Sequence, residues 1–333
     1  MRAALCRTYG GPDVIELADI PSPPLGPGQV RVRINVGAVN FPDVLVVANT
    51  YQVSVPTPFV LGSEYAGTVV ELGDGAEGLD VGDRVFGSTI VGAFAEEIVV
   101  APGVLMRIPD GVDDRTAAAF GVAYRTAYHV LRSVAAVQPG EELVVLGAGG
   151  GVGTAAVQLG VLLGASVTAI ASSPEKLEAA RALGAQRLID HRAGDLRQAL
   201  RDALPGGADV VIDPVGGDLA EPALRSLHFG GRFVTVGYAS GTIPRIPLNL
   251  VLLKGCAVLG FQFGDFAKHR PEEMARNDRE LMDLLVAGKA APLIGATFDL
   301  ADAGDALRWV ADGKALGKVV VQVAPGRGSE TKD

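Results

Sequence analysis

Apolar and polar residues alternate over Gln29–Val36 (QVRVRINV), the period of a half-buried strand. Gly67–Glu71, Arg84–Phe86 and Ala95–Val100 read the same way, and turn-rich stretches such as ADIPSPPLGPG at 18–28 connect such runs. The chain to about residue 120 therefore predicts an antiparallel β domain. From about residue 123 the pattern changes. Leu143–Leu146 and Val167–Ala171 are short apolar runs, as buried parallel strands should be. Between them the apolar run Val152–Leu163 predicts a helix, with Gly164 placed to end it. Ser173 and Pro174 form an N-cap and N1 pair for a further helix that Gly184 closes. More strands are expected at Arg187–Asp190, Asp209–Asp213, Arg232–Gly237 and Ala257–Gln262. This alternation predicts an α/β fold, a doubly wound parallel Rossmann sheet with helices on both faces.

After about residue 264 come a charged helix (Glu272–Ala287), a strand near Ala296–Phe298, a helix (Ala301–Asp312) and a last strand, Lys318–Val323. This tail is too short for an independent domain, so it is expected to fold back onto the N-terminal one. The final residues, GRGSETKD, are expected to fray. No internal repeat is visible.

The stretch from Gly147 to Gly153 holds five glycines in seven residues. Glycine lets a backbone turn tightly and approach a pyrophosphate, and the N–H groups opening the next helix point at such a group. A strict G-x-G-x-x-G register ending at Gly153 needs glycine at 148, where alanine stands. The strand–loop–helix–strand setting is stronger than the motif and predicts a dinucleotide site at Gly150, Gly151, Val152 and Gly153. The bland alternative is a glycine turn needed only for close packing. Leu143–Pro174 carries no charge and is long enough to span a bilayer, but clustered glycines make a poor spanning helix.

An NAD-selective unit usually ends its second strand with Asp or Glu, to hold the ribose diol. Here that strand ends Ala171-Ser172-Ser173, and Lys176 follows one helical turn later. Small hydroxyls and a cation suit a 2′-phosphate. His191 and Arg192, after the third strand, lie on the same sheet edge. Ser173 has a competing role as N-cap, and Lys176 and His191 could be ordinary surface residues. Together Ser172, Ser173, Lys176 and His191 favour NADPH.

At 333 residues the chain is long enough for two domains with real cores, and its net charge of −9 argues against a broad nucleic-acid surface. Its start, MRAALCRTYGG, is too short and mixed for a secretory signal, so the default expectation is cytoplasmic. Cys6 and Cys256 cannot build a disulfide framework or a cysteine-rich zinc site, and are read as small core residues.

Seven motifs, in order, carry a resemblance over about residues 1–324: GAVNFPDVL (37–45), LGSEYAGTV (61–69), GDRVFG (82–87), AAAFGVAYRTAYHVL (117–131), GAGGGVGTAAVQL (147–159), DPVGGD (213–218) and GKVVVQV (317–323). The chain resembles the zinc-independent quinone oxidoreductase branch of the medium-chain dehydrogenase/reductase superfamily, the zeta-crystallin-like proteins. The resemblance implies a discontinuous GroES-like catalytic domain (1–122 and 264–333) and a Rossmann domain (123–263), with NADPH bound between them. It also implies a homodimer, for which the apolar run Ala257–Phe263 would supply the sheet edge.

Zinc alcohol dehydrogenases of the same superfamily look similar. A catalytic zinc needs three ligands and an open position. Where those relatives carry a cysteine this chain has Phe41, and where they carry the histidine of G-H-E it has Ser63. Their loop of four cysteines has no counterpart. Glu64 and Asp43 alone cannot hold zinc tightly, and His129 is the one histidine near the motifs, so no metal is expected.

Hydride added to a quinone or enone leaves an oxyanion or enolate, which needs donors or a proton. Asn40 and Tyr51 are the catalytic candidates. In the resembling proteins the asparagine faces nicotinamide and substrate. Tyr51 matches the spacing of a tyrosine regarded as the proton donor of related enoyl-thioester reductases. Asn40 could instead be a turn-former, Tyr51 a partly exposed loop aromatic; Asp43 is read as structural, bonding loop N–H groups. The resemblance adds Thr126, taken to begin the helix leading into the Rossmann domain, and Gly237, Phe261 and Phe263 after strands. Lys318 resembles a basic residue near the nicotinamide, and could equally be a strand-edge charge.

The leading expectation is an NADPH-dependent, metal-free reductase of quinones or related electrophilic carbonyls and alkenes. An enoyl-CoA or enoyl-thioester reductase is the alternative enzyme. An NADPH-binding protein with little catalysis is the alternative of another class. The expected partner is a small-molecule electrophile, with no nucleic acid and no membrane.

Overall fold

The computed structural model describes residues 1–323, so GRGSETKD lies outside the described residues. The chain forms two compact units, residues 1–122 with 292–323, and residues 123–291. The second crossing lies at 291/292, not at 263/264 as expected. The reason is the helix Pro271–Val286, which buries Asn277, Leu281 and Leu285 at helical spacing. Its polar residues engage 125–133. Asp278 takes two bonds from Arg125 at 2.8 and 2.9 Å, Glu280 takes one from Arg132 at 3.0 Å, and Asn277 meets Ser133 Oγ at 2.8 Å.

In the first unit the strand Val30–Val39 buries Val30, Val32 and Ile34 and turns Arg31, Arg33 and Asn35 outward. It pairs antiparallel with Glu64–Leu72 and with Lys318–Gln322. Arg84–Ser88 and Leu105–Arg107 continue one side of this sheet, Ile294–Asp299 closes the other, and Glu97–Val100 adds to Val30–Val39. A small sheet holds Ile15–Asp19, Arg2–Cys6 and Phe59–Val60. Tyr65, Phe94, Leu61 and the inward valines fill the core.

In the second unit six parallel strands run in the spatial order Arg187–Asp190, Ser166–Ala171, Glu142–Leu146, Ala208–Asp213, Leu227–Thr235 and Ala257–Gly260. The chain order reverses between Glu142–Leu146 and Ala208–Asp213, and ligands of such sheets bind at the carboxyl ends near that reversal. The expected strand 232–237 begins earlier, at Leu227, and ends at Thr235. The last strand stops at Gly260, and Phe263–His269 is a helix the hydrophobic pattern did not reveal. Cys6 is buried; Cys256 is only half-buried, against the core edge.

Candidate functional site

The glycine loop joins Glu142–Leu146 to the helix Gly151–Leu162. Its glycines answer different demands. Gly147 sits at a φ of 60°, in the left-handed region. Gly153 needs clearance, because a β-carbon there would stand 2.0 Å from the Gly147 oxygen. Ala148 is fully buried and donates its N–H to Ile170 O at 2.9 Å, so a methyl is accommodated where the glycine pattern breaks. The first intrahelical bond runs from Thr154 N to Gly150 O, which leaves the N–H groups of Gly151, Val152 and Gly153 ahead of the ladder. A β-carbon on Gly150 would meet only the Gly147 oxygen, at an ordinary contact distance of 3.6 Å. This is a cradle for a phosphate.

The neighbouring strand end builds a cationic corner. Ser173 caps the helix Pro174–Ala182, its hydroxyl accepting from Lys176 N at 3.4 Å. His191 donates its N–H to Ala171 O at 3.2 Å, which ties the third strand's end to the second beside Ser172. Burial and then the charge of Arg192 lower the pKa of both Lys176 and His191, and His191 also feels Lys176. Cations repelling one another in a half-buried corner form a site that a dianion would relieve.

In the first unit three strand ends converge on Asn40. Val39 pairs with Val319, which sets Lys318 opposite Asn40, and Ala38 pairs with Glu64. Lys318 Nζ donates to Asn40 Oδ1 at 2.6 Å, Glu64 Oε2 at 2.9 Å and Val39 O at 3.2 Å. An ammonium has three donors, so all are engaged within this unit. The nicotinamide role that the resemblance implied for Lys318 meets a cation already occupied. Asn40 Nδ2 donates to Glu64 Oε2 at 3.0 Å and reaches Ser63 Oγ at 3.4 Å. Glu64 Oε1 accepts from Val122 N at 2.5 Å. Asn40, Asp43, Glu64 and Lys318 are all buried.

Asn40 is the N-cap of the helix Phe41–Val47, in a capping-box arrangement with Asp43. Asp43 accepts Asn40 N–H at 2.8 Å, which is the loop-bonding role expected of it. Burial raises the Asp43 carboxyl to about 6, against the lowering effect of Ser63, the Asn40 N–H and Lys318. Tyr51 is half-buried and packs on the core of this unit. Burial, then the Asp43 carboxylate, raises its pKa, so the hydroxyl keeps its proton at neutral pH.

The other expected site residues lie in the second unit. Thr126 does not begin a helix; it is buried in the last turn of Asp114–His129. Gly237 follows Leu227–Thr235, with its N–H 3.4 Å from Asp213 O. Phe261 and Phe263 pack edge to face with each other, with ring centroids 6.2 Å apart, and against His129 and Phe266. Two residues escape the sequence reading. Glu64 enters it only as a metal ligand, although a charged residue inside an apolar strand, GSEYAGTVV, signals a buried partner. Asp213 ends its strand with Oδ1 accepting from Val215 N and Gly216 N at 2.8 and 2.7 Å. Its Oδ2 is buried without a hydrogen-bond partner among the described residues. Among those residues no three His, Cys, Asp or Glu side chains gather as a metal site.

A parallel sheet with this glycine loop in one unit and a mostly antiparallel sheet carrying a buried polar cluster in the other are the parts of a nucleotide-dependent dehydrogenase architecture. Residues 26–110 match the alcohol dehydrogenase GroES-like domain family, and 151–279 the zinc-binding dehydrogenase family. The bovine (Bos taurus) quinone oxidoreductase-like protein 2 is 37% identical over 97% of this chain and 92% of its own length. The Thermus thermophilus quinone oxidoreductase, solved alone and with NADPH, is 32% identical with a TM-score of 0.83, covering 97% of this chain and 100% of its own. The Escherichia coli quinone oxidoreductase, solved with NADPH, is 25% identical with a TM-score of 0.90 over the same shares. The chain belongs to the medium-chain dehydrogenase/reductase superfamily of oxidoreductases, in its zinc-independent quinone oxidoreductase branch.

Proposed function

We propose that the protein is an NADPH-dependent reductase of quinones or related electrophilic carbonyls and alkenes. The observation that carries this is the corner of Ser172, Ser173, Lys176 and His191 beside the glycine loop, with no carboxylate closing the second strand. Gly150, Gly151, Val152 and Gly153 would hold the pyrophosphate on a helix N-terminus. The corner would hold the 2′-phosphate; the NADPH complexes of the relatives support that choice of cofactor. Thr126, Gly237, Phe261 and Phe263 are proposed as further cofactor neighbours. When bound, NADPH supplies the hydride. Asn40 then offers an N–H to the oxygen that gains charge, and Tyr51 keeps an O–H for an acceptor that must take its proton on carbon.

The raised pKa of Tyr51 supports a second reading, an enoyl-CoA or enoyl-thioester reductase that protonates carbon. NADPH oxidation with 1,2-naphthoquinone against crotonyl-CoA separates the two. Turnover with neither leaves an NADPH-binding protein. We propose a cytoplasmic setting; among the described residues no helix is long and apolar enough to cross a membrane. A homodimer through Ala257–Gly260 is proposed as well, because exposed Val258, Leu252, Leu253 and Phe229 lie at or near that sheet edge. Val258→Asp should then yield monomers in sedimentation; an unchanged species removes this edge from consideration.

A further inference from the structure

We propose that Glu64 and Lys318 are positioning residues which hold the Asn40 amide in one orientation, so that what it can offer a hydride acceptor is an N–H donor for an oxygen gaining negative charge. The inference rests on the reading of Asn40 as substrate-facing, and it deepens that reading.

An amide has two unlike ends on a nearly symmetric frame. Turning it over exchanges an acceptor for two donors. At Asn40 the two ends meet opposite charges: Lys318 Nζ lies 2.6 Å from Oδ1, and Glu64 Oε2 lies 3.0 Å from Nδ2. The reversed amide would set its NH₂ against an ammonium and its oxygen against a carboxylate, both repulsive. All three side chains are buried, where water screens such contacts least. The clamp is itself braced. Lys318 and Glu64 bond each other at 2.9 Å, Lys318 is anchored on Val39 O, and Glu64 on Val122 N.

Asn40 then has one under-used donor. Its second Nδ2 hydrogen faces Ser63 Oγ at 3.4 Å, long for an N–H···O bond. Its oxygen is held by the ammonium. The residue is set to serve an oxyanion, and is poorly set to accept a proton or meet a cation. Hydride acceptors whose charge develops on oxygen, quinones and enones among them, fit this polarity. Iminium-like acceptors do not.

The test uses the charge-neutral pair Glu64→Gln/Lys318→Met, because removing one charge alone would leave the other buried and unpaired. The first readout is the Asn40 side-chain ¹⁵N–¹H signal pair in the cofactor-free protein, assigned by its loss in Asn40→Ala. A shifted and separately resolved pair is expected in the parent, moving towards the free-amide region in the double variant. An unmoved pair overturns the proposal. The second readout is kcat with NADPH and 1,2-naphthoquinone. Asn40→Ala should lower it about tenfold or more in the parent but under about threefold in the double variant, which is the signature of coupled residues. An undiminished effect there also overturns the proposal. If Asn40→Ala turns over like the parent while the amide signals do move, positioning stands and the oxyanion role of Asn40 falls. Should the double variant fail to fold, Lys318→Arg and the charge-neutral pair Glu64→Gln/Lys318→Gln replace it. The arginine variant should keep the amide signals and the neutral pair lose them; identical spectra sink the idea.

Discussion

The methylene stem of Lys176 lies against Gly149. A β-carbon built on that glycine would stand 2.6 Å from Cβ and Cγ of the lysine and 2.7 Å from its Cδ. The loop that would cradle the pyrophosphate thus also shapes the stem of the cation proposed for the 2′-phosphate. Gly149→Ala should displace Lys176 and weaken NADPH binding about 10–100-fold, the worth of one charge-assisted hydrogen bond, while NADH changes under about threefold. Titration of both cofactors against parent and variant checks this. Equal losses for the two would show that the glycine serves the loop alone.

Proton linkage gives a second expectation. In the free protein His191 is held below 6.5 by burial, by Arg192 and by Lys176. A 2′-phosphate reverses the local potential and raises the imidazole's pKa, so binding draws in protons. NADPH affinity should therefore gain a component that falls as pH rises from the free value, below 6.5, through the bound one. The phosphate's own titration acts in the opposite direction, so His191→Asn is the reference. Calorimetry in two buffers of different ionisation enthalpy should find less proton uptake in the variant; equal uptake would remove His191 from the site.

Tyr51 bears on the choice of acceptor. Its hydroxyl stays protonated well above neutrality, because burial and the Asp43 carboxylate both disfavour the phenolate. Carbon protonation needs a placed acid, whereas quinol oxygens exchange protons with water. Tyr51→Phe should cost under about threefold in kcat with 1,2-naphthoquinone. Any crotonyl-CoA reduction should fall about 10²–10⁴-fold. Loss with the quinone as well would give the hydroxyl a binding role.

Asp43 makes a prediction about stability. Its folded pKa is about 6 against 3.8 for an exposed carboxyl. A raised folded value means the native state binds the proton more tightly. That stabilisation is complete below about 4 and is lost as pH rises through about 6. Asp43→Asn removes the titration and keeps an oxygen for the Asn40 N–H. Its stability relative to the parent should improve between pH 5 and 8, by about 1.4 kcal/mol at most. Denaturant melts at the two pH values measure it, and a pH-independent difference would contradict it.

The sheet of the second unit was legible because buried parallel strands are short apolar runs punctuated by glycine, and Ser173 and Gly164 mark helix ends by local chemistry. Leu227 was not, because His228, Gly230 and Gly231 interrupt its strand. Nor was the helix Phe263–His269, seven residues with a single buried side chain, Phe266. The polar cluster escaped for another reason. Asn40, Glu64 and Lys318 are far apart in the chain, and only strand register brings them together. Periodicity can say that each lies at the end of a strand, but not that the three ends meet. The boundary near 291 depended on which residues the charges of one helix would find, and a charged face usually meets water.

Ala148 has a consequence for binding entropy. Loops rich in glycine lose much freedom when a ligand orders them, and that loss weakens association. Here a buried methyl and a bond to Ile170 O fasten the start of the loop to the sheet. The loop proposed for the dinucleotide is thus tied to the sheet at Ala148 during folding, before any ligand arrives.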